Sequence, residues 1–349
     1  MHSLIFSIRL ALALGYASTV SSQRYPNVTY SSKATAAAAS SKYKFDASSS
    51  QNVAVYFGRT DETVNTNLTV QCSDANVDIV MLAFVTKIIG GGGYPDLGFE
   101  KLCTGQTSEM IAANATGLLS CTDLAPQIES CQSAGKKVLV ALGGQNGETI
   151  FNSTTEAQAA ATLLWNLFGG GSAEDSGLRP FGDVKVDGFD IDNEVGDGAY
   201  YEDFASALRS LFKAQKAKTY YLSAAPSCSL TSEGSNPLEM LNLMDFVWPQ
   251  FYGAPSCNIG TDAFADSVKA WSDRLVGPKL YIGSPSFANG TTNGGYEEPD
   301  AFAKTIKSAR SDTRKDFGGV MLWDGAYGHI TLDSEGLDYI AVSKNALTS

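Results

Sequence analysis

Eight short runs of β-branched and aromatic residues alternate with segments of helical apolar spacing between residues 52 and 349. That alternation predicts an α/β fold, a single (β/α)8 barrel of the TIM type. A cluster of acids, Val186 to Glu194, falls at the end of the fourth run, and barrels of this kind carry their sites at the C-terminal ends of their strands. At 349 residues and 44% hydrophobic content the chain can bury a large core, but that length suits either one barrel or two ordinary domains. The alternation, not the length, decides between them.

In chain order, Met1 to Ser22 reads as a secretory signal peptide: a start carrying His2 and Arg9, an apolar run Leu10–Ala17, and small residues before a cut after Ser22. It is too short and interrupted for a membrane span. Residues 23–51, rich in Ser, Ala and Thr, are expected to be a disordered leader that buries no core. The folded domain is then 52–349. Strands are expected at Val53–Phe57, Asp78–Phe84, Lys137–Gly143, Val186–Asp192, Tyr220–Ala225, Phe246–Tyr252, Leu280–Ser284 and Gly319–Asp324. Helical spacing links Leu163, Leu164, Leu167 and Phe168; Phe204, Leu208, Leu211 and Phe212; Phe264, Val268, Trp271 and Leu275; and Phe302 with Ile306. The closing stretch Lys344–Ser349 has no hydrophobic tail for a lipid anchor.

The fourth run reads Val186-Asp-Gly-Phe-Asp-Ile-Asp-Asn-Glu194. Side chains alternate faces along a strand, so Asp190, Asp192 and Glu194 project to one side in steps of about 6.6 Å. Asp187 has the other parity and suits a structural job at the strand start. Three carboxyls on one face raise one another's pKa, so at least one should keep a proton near neutral pH, which is what glycosidic cleavage needs. Spacing alone does not choose between acid catalysis, a divalent-cation site and a structural acidic cluster.

Other strand ends add to this. Strand three runs into Gly143-Gly144, where absent side chains let a ligand or a neighbouring strand approach. Strand six brings Gln250 and Tyr252 to the barrel mouth on one parity, and strand eight brings Trp323, a set suited to a sugar ring with apolar faces and hydroxyls. A net charge of -12 and a pI near 4.7 argue against nucleic acid or an anionic membrane surface as partner. After signal removal one histidine is left, His329, which excludes a multi-histidine zinc site and makes a serine triad improbable; a surface or capping role is its default. The glycine run Gly90–Gly93 reads as a loop. Six cysteines agree with an oxidising compartment, and the sequons at Asn27, Asn67, Asn114, Asn152 and Asn289 would be open to glycosylation of a secreted glycoprotein.

The chain resembles glycoside hydrolase family 18. The acidic motif D-x-x-D-x-D-x-E is matched by Asp187, Asp190, Asp192 and Glu194, and strand motifs of the class III chitinases of plants and fungi recur in order: Val53-Ala-Val-Tyr-Phe-Gly58, Lys137-Val-Leu-Val-Ala-Leu-Gly-Gly144, Leu222-Ser-Ala-Ala-Pro226, Gln250-Phe-Tyr252 and Gly318-Gly-Val-Met-Leu-Trp323. The resemblance implies a (β/α)8 chitinase hydrolysing β-1,4-linked chitin or N-acetylglucosamine oligosaccharides without metal or organic cofactor; with the signal, cysteines and sequons above it is expected to be a secreted, endo-acting monomer. It implies a retaining reaction in which the substrate's own acetamide is the nucleophile. Glu194 would be the acid and then the base, Asp192 would orient the acetamide, Asp190 would share a proton with Asp192, and Tyr252 would hydrogen-bond the acetamide oxygen. Tyr56 and Gln250 would line the pocket and Trp323 would floor it.

The resemblance further implies the disulfides Cys72–Cys131, Cys103–Cys121 and Cys228–Cys257. Some 34 residues lie between Ser284 and Gly319, so no α+β insertion domain is expected there. The sequence departs from the family at Asn193, Ala141, Gly253 and Arg59, none of which removes a catalytic group; Asn193 has outward parity and is expected to meet the helix layer or a loop. Other readings are a glycan-binding lectin or enzyme inhibitor on the same scaffold, and an endo-β-N-acetylglucosaminidase.

Overall fold

The computed structural model describes residues 43–59, 64, 67–99, 101–103, 105–171, 177–230, 234–313 and 316–349. The expected signal peptide, most of the leader and the sequon at Asn27 lie outside the described residues. The strands are β1 (Asn52–Phe57), β2 (Ile79–Lys87), β3 (Asp96–Leu97), β4 (Lys137–Gly143), β5 (Gly188–Asp192), β6 (Tyr221–Ala224), β7 (Phe246–Val247), β8 (Lys279–Pro285) and β9 (Phe317–Trp323). The helices are α1 (Leu68–Ser73), α2 (Ser108–Ala112), α3 (Ala125–Ser133), α4 (Thr154–Phe168), α5 (Tyr201–Ala214), α6 (Leu238–Leu241), α7 (Phe264–Arg274), α8 (Pro299–Asp312), α9 (Gly325–Gly328) and α10 (Tyr339–Thr348). All strands but β3 pair in parallel, in the order β1-β9-β8-β7-β6-β5-β4-β2, and β1 pairs with β2 to close an eight-stranded (β/α)8 barrel. The two-residue β3 pairs antiparallel with the end of β2.

Period-two alternation divides the apolar residues into two cores. On β1, Ala54 and Tyr56 face the barrel interior, where Met81, Leu139, Phe246, Trp248, Tyr281 and Met321 meet them. Val53, Val55 and Phe57 face outward into the layer between barrel and helices. Helices supply the other side of that layer; α4 starts where the Ser153 side chain accepts the Glu156 N–H at 3.2 Å, and it ends at Gly169.

Three differences from the sequence reading have physical causes. Residues 43–51, placed in the leader, are built into the fold: Phe45 is 7% exposed and meets Tyr221 edge-on at 5.5 Å and Phe246 at 6.1 Å, plugging the strand starts. Burying such a ring contributes about 1.5–3 kcal/mol. The sixth strand is shorter than expected, because Pro249 has no N–H for a ladder; Gln250 rejoins through isolated bridges to Ser227 and Gly283. The fourth begins at Gly188, since Asp187 is occupied in bracing: its Oδ2 accepts the Val138 N–H at 2.9 Å and its Oδ1 lies 3.1 Å from Lys218 Nζ.

Between β8 and β9 the described residues form a short turn, Ala288–Gly290, and α8, with no α+β unit. The disulfides join Cys72 to Cys131, Cys103 to Cys121 and Cys228 to Cys257, the pairs implied by the resemblance. No described helix is long and apolar enough to cross a membrane.

Candidate active site

The acid ladder rises from the barrel interior into a cleft at the C-terminal strand ends. Asp190 is fully buried, flanked in register by Ala141 on β4 and Ser223 on β6, two small residues that leave room for the carboxyl and its partners. Tyr56 Oη donates to Asp190 Oδ2 at 2.6 Å and Ser223 Oγ to Oδ1 at 2.7 Å. Burial raises the Asp190 pKa to about 6, while those two hydroxyls and the indole N–H of Trp248 pull it back toward the charged form. The Trp248 Nε1 lies near Asp190 but falls short of hydrogen-bond geometry.

Asp192, two residues on, is pushed well above the usual carboxylate range, first by burial and then by the neighbouring Glu194 and Asp190. Its carboxyl is hydrogen-bonded to that of Glu194, and Gln250 Nε2 donates to its Oδ1 at 2.9 Å. Glu194 stands at the top with its side chain open to the cleft, and its pKa is also raised, by the protein around its base. Gln250 Nε2 reaches Glu194 Oε1 at 3.3 Å and is anchored on the Ala225 carbonyl at 3.1 Å. Burial and mutual repulsion thus shift all three carboxyls of the ladder toward their protonated forms, Asp192 most strongly, and Glu194 is the one that opens to the cleft.

The cleft has a volume of about 700 Å³. Asp192, Glu194, Gln250, Tyr252 and Trp323 all line it. Trp323 stacks on Phe84 with ring centroids 5.9 Å apart and meets Tyr56 edge-on at 5.5 Å, so the floor is an aromatic platform. Burial and the three carboxyls raise the Tyr252 pKa well above its ordinary value, so its hydroxyl stays a proton donor. Tyr56 is the exception among the expected lining residues. It is 1% exposed and lies beneath the cleft, where its hydroxyl serves Asp190.

The glycines at the end of β4 are required by close approach of the next strand. A Cβ on Gly143, whose φ is +112°, would fall 2.2 Å from the Asp192 carbonyl oxygen. One on Gly144 would meet the Phe84 ring at 2.9 Å.

Each departure from the family pattern finds a place. Asn193 Nδ2 donates to the Ser235 carbonyl at 2.7 Å and the Asp197 carbonyl at 3.3 Å, while Asn236 Nδ2 donates to the Asn193 carbonyl at 3.0 Å, so this outward residue ties two loops to the acid beside it. Arg59 Nη1 donates to the Gly98 carbonyl at 3.2 Å, on the cleft wall. Gly253 has φ +74°, a left-handed conformation that Asn also tolerates. Ala141 lies in the barrel interior, fully buried.

Two contributors were missed from the sequence. Ser223 sits inside a strand motif that was quoted for its resemblance alone, and Trp248 shares the parity of Gln250 and Tyr252, a signal that could have placed it inside the barrel. Of the sequons, Asn67, Asn114, Asn152 and Asn289 are exposed, and Asn289 stands on the cleft rim.

The chain is similar to known proteins in sequence and in fold. Endochitinase 3 of Metarhizium anisopliae is 38% identical over 280 residues, 79% of this chain and 92% of that protein. The crystal structure of the ICChI chitinase from Ipomoea carnea superposes with a TM-score of 0.70 at 31% identity, over 84% of this chain and 99% of the other. A xylanase and alpha-amylase inhibitor protein from Scadoxus multiflorus gives a TM-score of 0.68 at 27% identity, over 86% of this chain and 98% of its own. The profile of the glycosyl hydrolases family 18 matches residues 52–295. The acid ladder thus sits inside a matched domain, and the chain belongs to glycosyl hydrolases family 18.

Proposed function

We propose that the chain is a secreted endochitinase that hydrolyses β-1,4 linkages between N-acetylglucosamine units by a substrate-assisted, retaining reaction. The observation that carries the proposal is the Asp190–Asp192–Glu194 ladder with its last carboxyl open to the cleft. Glu194 in its protonated form donates to the glycosidic oxygen; the leaving chain departs as the acetamide oxygen bonds to the anomeric carbon, and Glu194, now a carboxylate, later takes a proton from the attacking water. Asp192 hydrogen-bonds the acetamide N–H and stabilises the positive charge of the cyclised intermediate, with Asp190 accepting the proton Asp192 gives up. Tyr252 donates to the acetamide oxygen, Gln250 holds Asp192 and Glu194 in register, and Trp323 stacks under the reacting sugar.

Internal cleavage is supported by the short segment between β8 and β9, which leaves the groove unwalled there, and by relatives that bear the name endochitinase. The apolar run Leu10–Ala17 and the three disulfides support secretion, with residues 1–22 as signal peptide. We assign the exposed sequons Asn67, Asn114, Asn152 and Asn289 to glycosylation on that basis.

A second reading, a carbohydrate- or enzyme-binding protein that has kept the scaffold, is favoured by the likeness to the Scadoxus multiflorus inhibitor. Assay of the purified chain on N-acetylglucosamine oligomers and a soluble chitin derivative separates the two. The enzyme gives mixed oligomers by mass, and viscosity falls long before much reducing sugar appears. Disaccharide release from the outset refutes internal cleavage, and binding without hydrolysis refutes the enzyme.

A further inference from the structure

Six buried side-chain polar atoms have no hydrogen-bond partner among the described residues, and they are unevenly spread. Asn236 Oδ1 and Trp248 Nε1 belong to the cleft region. The other four are both amide atoms of Gln71, Asp74 Oδ2 and His329 Nε2. Gln71 lies within α1 and Asp74 caps its end, while His329 caps the short α9. These elements touch: a Cβ built on Gly325, the first residue of α9, would fall 2.5 Å from Gln71 Oε1. A polar, under-satisfied seam therefore runs between α1 and α9.

At one end of that seam three donor groups converge. His329 Nδ1 is 3.8 Å from Asp74 Oδ2 and 3.8 Å from Asp338 Oδ2, and the imidazole is 8% exposed. One donor atom from each residue lies within 4.8 Å of the other two. Both aspartates are held from behind: Asp74 Oδ1 accepts the Asn76 N–H at 2.8 Å, and Asp338 Oδ1 accepts the Ala341 N–H at 2.7 Å as N-cap of α10. Each carboxylate thus has one oxygen fixed by backbone and the other turned toward the ring.

An imidazolium paired with a carboxylate closes to about 2.7–2.9 Å. Here the ring nitrogen stands off equally from two carboxylate oxygens, beyond hydrogen-bond reach of either. Two ligands bound to one ion at about 2.0–2.2 Å can stand up to roughly 4.4 Å apart, so both 3.8 Å spans from the ring nitrogen fit a shared metal, and the two carboxylate oxygens, within 4.8 Å of each other, need only a small side-chain rotation to join it. We propose that Asp74, His329 and Asp338 form a structural site for a divalent transition-metal cation, Zn²⁺ first among them. One imidazole nitrogen with two carboxylate oxygens is a donor set for such borderline cations, and water completes the coordination. The fixed Asp oxygens provide the outer hydrogen bonds that orient ligands in built metal sites. None of the three residues lines the catalytic cleft. The ion would clamp the end of α1 and the start of α10, joining the first and last helices of the barrel.

The full chain, stripped with chelator and dialysed, is titrated with ZnCl₂ by calorimetry and with CoCl₂ by visible absorption. One ion per chain should bind, and at about a hundredfold excess over Kd the melting temperature should rise by about 5 °C. His329→Gln and Asp338→Asn should each abolish the binding and the shift while leaving hydrolysis unchanged. Asp338→Asn keeps a capping oxygen for α10, so it remains folded if the glutamine variant does not. Absence of binding up to about 100 µM Zn²⁺, an affinity too weak to hold a structural ion, overturns the proposal and leaves a histidine between two aspartates. Undiminished binding in Asp338→Asn overturns it as well, because the ion would then sit elsewhere.

Discussion

Replacing Tyr56 by Phe removes one oxygen from beneath the acid ladder and nothing from the cleft wall. Its hydroxyl donates to Asp190 Oδ2 at 2.6 Å, with both groups fully buried. A hydrogen bond to a charged group is worth about 1.5–3 kcal/mol, and one pKa unit corresponds to about 1.4 kcal/mol, so Tyr56→Phe should raise the Asp190 pKa by about 1–2 units. Starting from about 6, Asp190 would then titrate at about 7–8.

The sign follows from proton linkage. Because the folded pKa lies above the unfolded 3.8, the folded protein binds more protons between the two values, and stability falls as pH rises through that window. In the parent the loss is complete above about 6; in the variant it continues to about 7–8. Tyr56→Phe should therefore cost about 1.5–3 kcal/mol at pH near 9 and clearly less near pH 5, where Asp190 is protonated in both proteins. Urea denaturation at the two pH values measures this. In parallel, the limb of kcat/KM against pH that the ladder governs should move to higher pH, on an N-acetylglucosamine oligomer with a fluorogenic leaving group. Equal destabilisation at both pH values, with an unmoved limb, would refute the role given to Tyr56.

Glu194→Gln should lower hydrolysis by at least about 10² to 10⁴-fold while oligosaccharide binding persists; activity within a few-fold of the parent would remove Glu194 from the acid role. NMR of the first products, taken before mutarotation, should show the β anomer, and fully deacetylated oligomers should be inert, since no acetamide is present to attack. Gly143→Ala places a methyl 2.2 Å from the Asp192 carbonyl oxygen at a φ of +112°, and should cost more than about 1–3 kcal/mol by thermal melting, with activity falling further than Gly253→Ala, whose site is open. Asn193→Leu keeps the volume but leaves the Ser235 carbonyl without its 2.7 Å donor; kcat should fall with little change in the melting temperature, and an unchanged kcat would show that the loop tie does not reach the acid beside it.

The sequence by itself determined what depends on local periodicity. Period-two alternation put Asp190, Asp192 and Glu194 on one face whatever surrounded them, and the order of apolar runs was enough for eight parallel strands with helices between. Gln250, Tyr252 and Trp323 were legible at the mouth for the same reason, because strand ends and parity are properties of a few consecutive residues. Asp187 was legible as structural from its parity, and the cysteine pairs were legible through resemblance, since spacing leaves many connectivities open.

What only the tertiary structure decided depends on which strands become neighbours and how deep a side chain sits. Tyr56 was expected on the cleft wall, but barrel closure puts β1 across from β5 and sinks its hydroxyl onto Asp190. Ser223 on β6 donates to the same carboxylate and Trp248, just past β7, lies near it, at sequence distances no local pattern spans. Phe45 looked like part of a polar leader because one ring in a Ser- and Ala-rich stretch has no period; its burial exists only once the strand starts form a rim for it to fill. His329 read as a lone cap for the same reason: Asp74 and Asp338, at the end of α1 and the start of α10, approach it only in the folded barrel. Alternation is fixed by the geometry of a single strand, whereas depth, neighbours and the resulting pKa values are set by closure of the whole barrel.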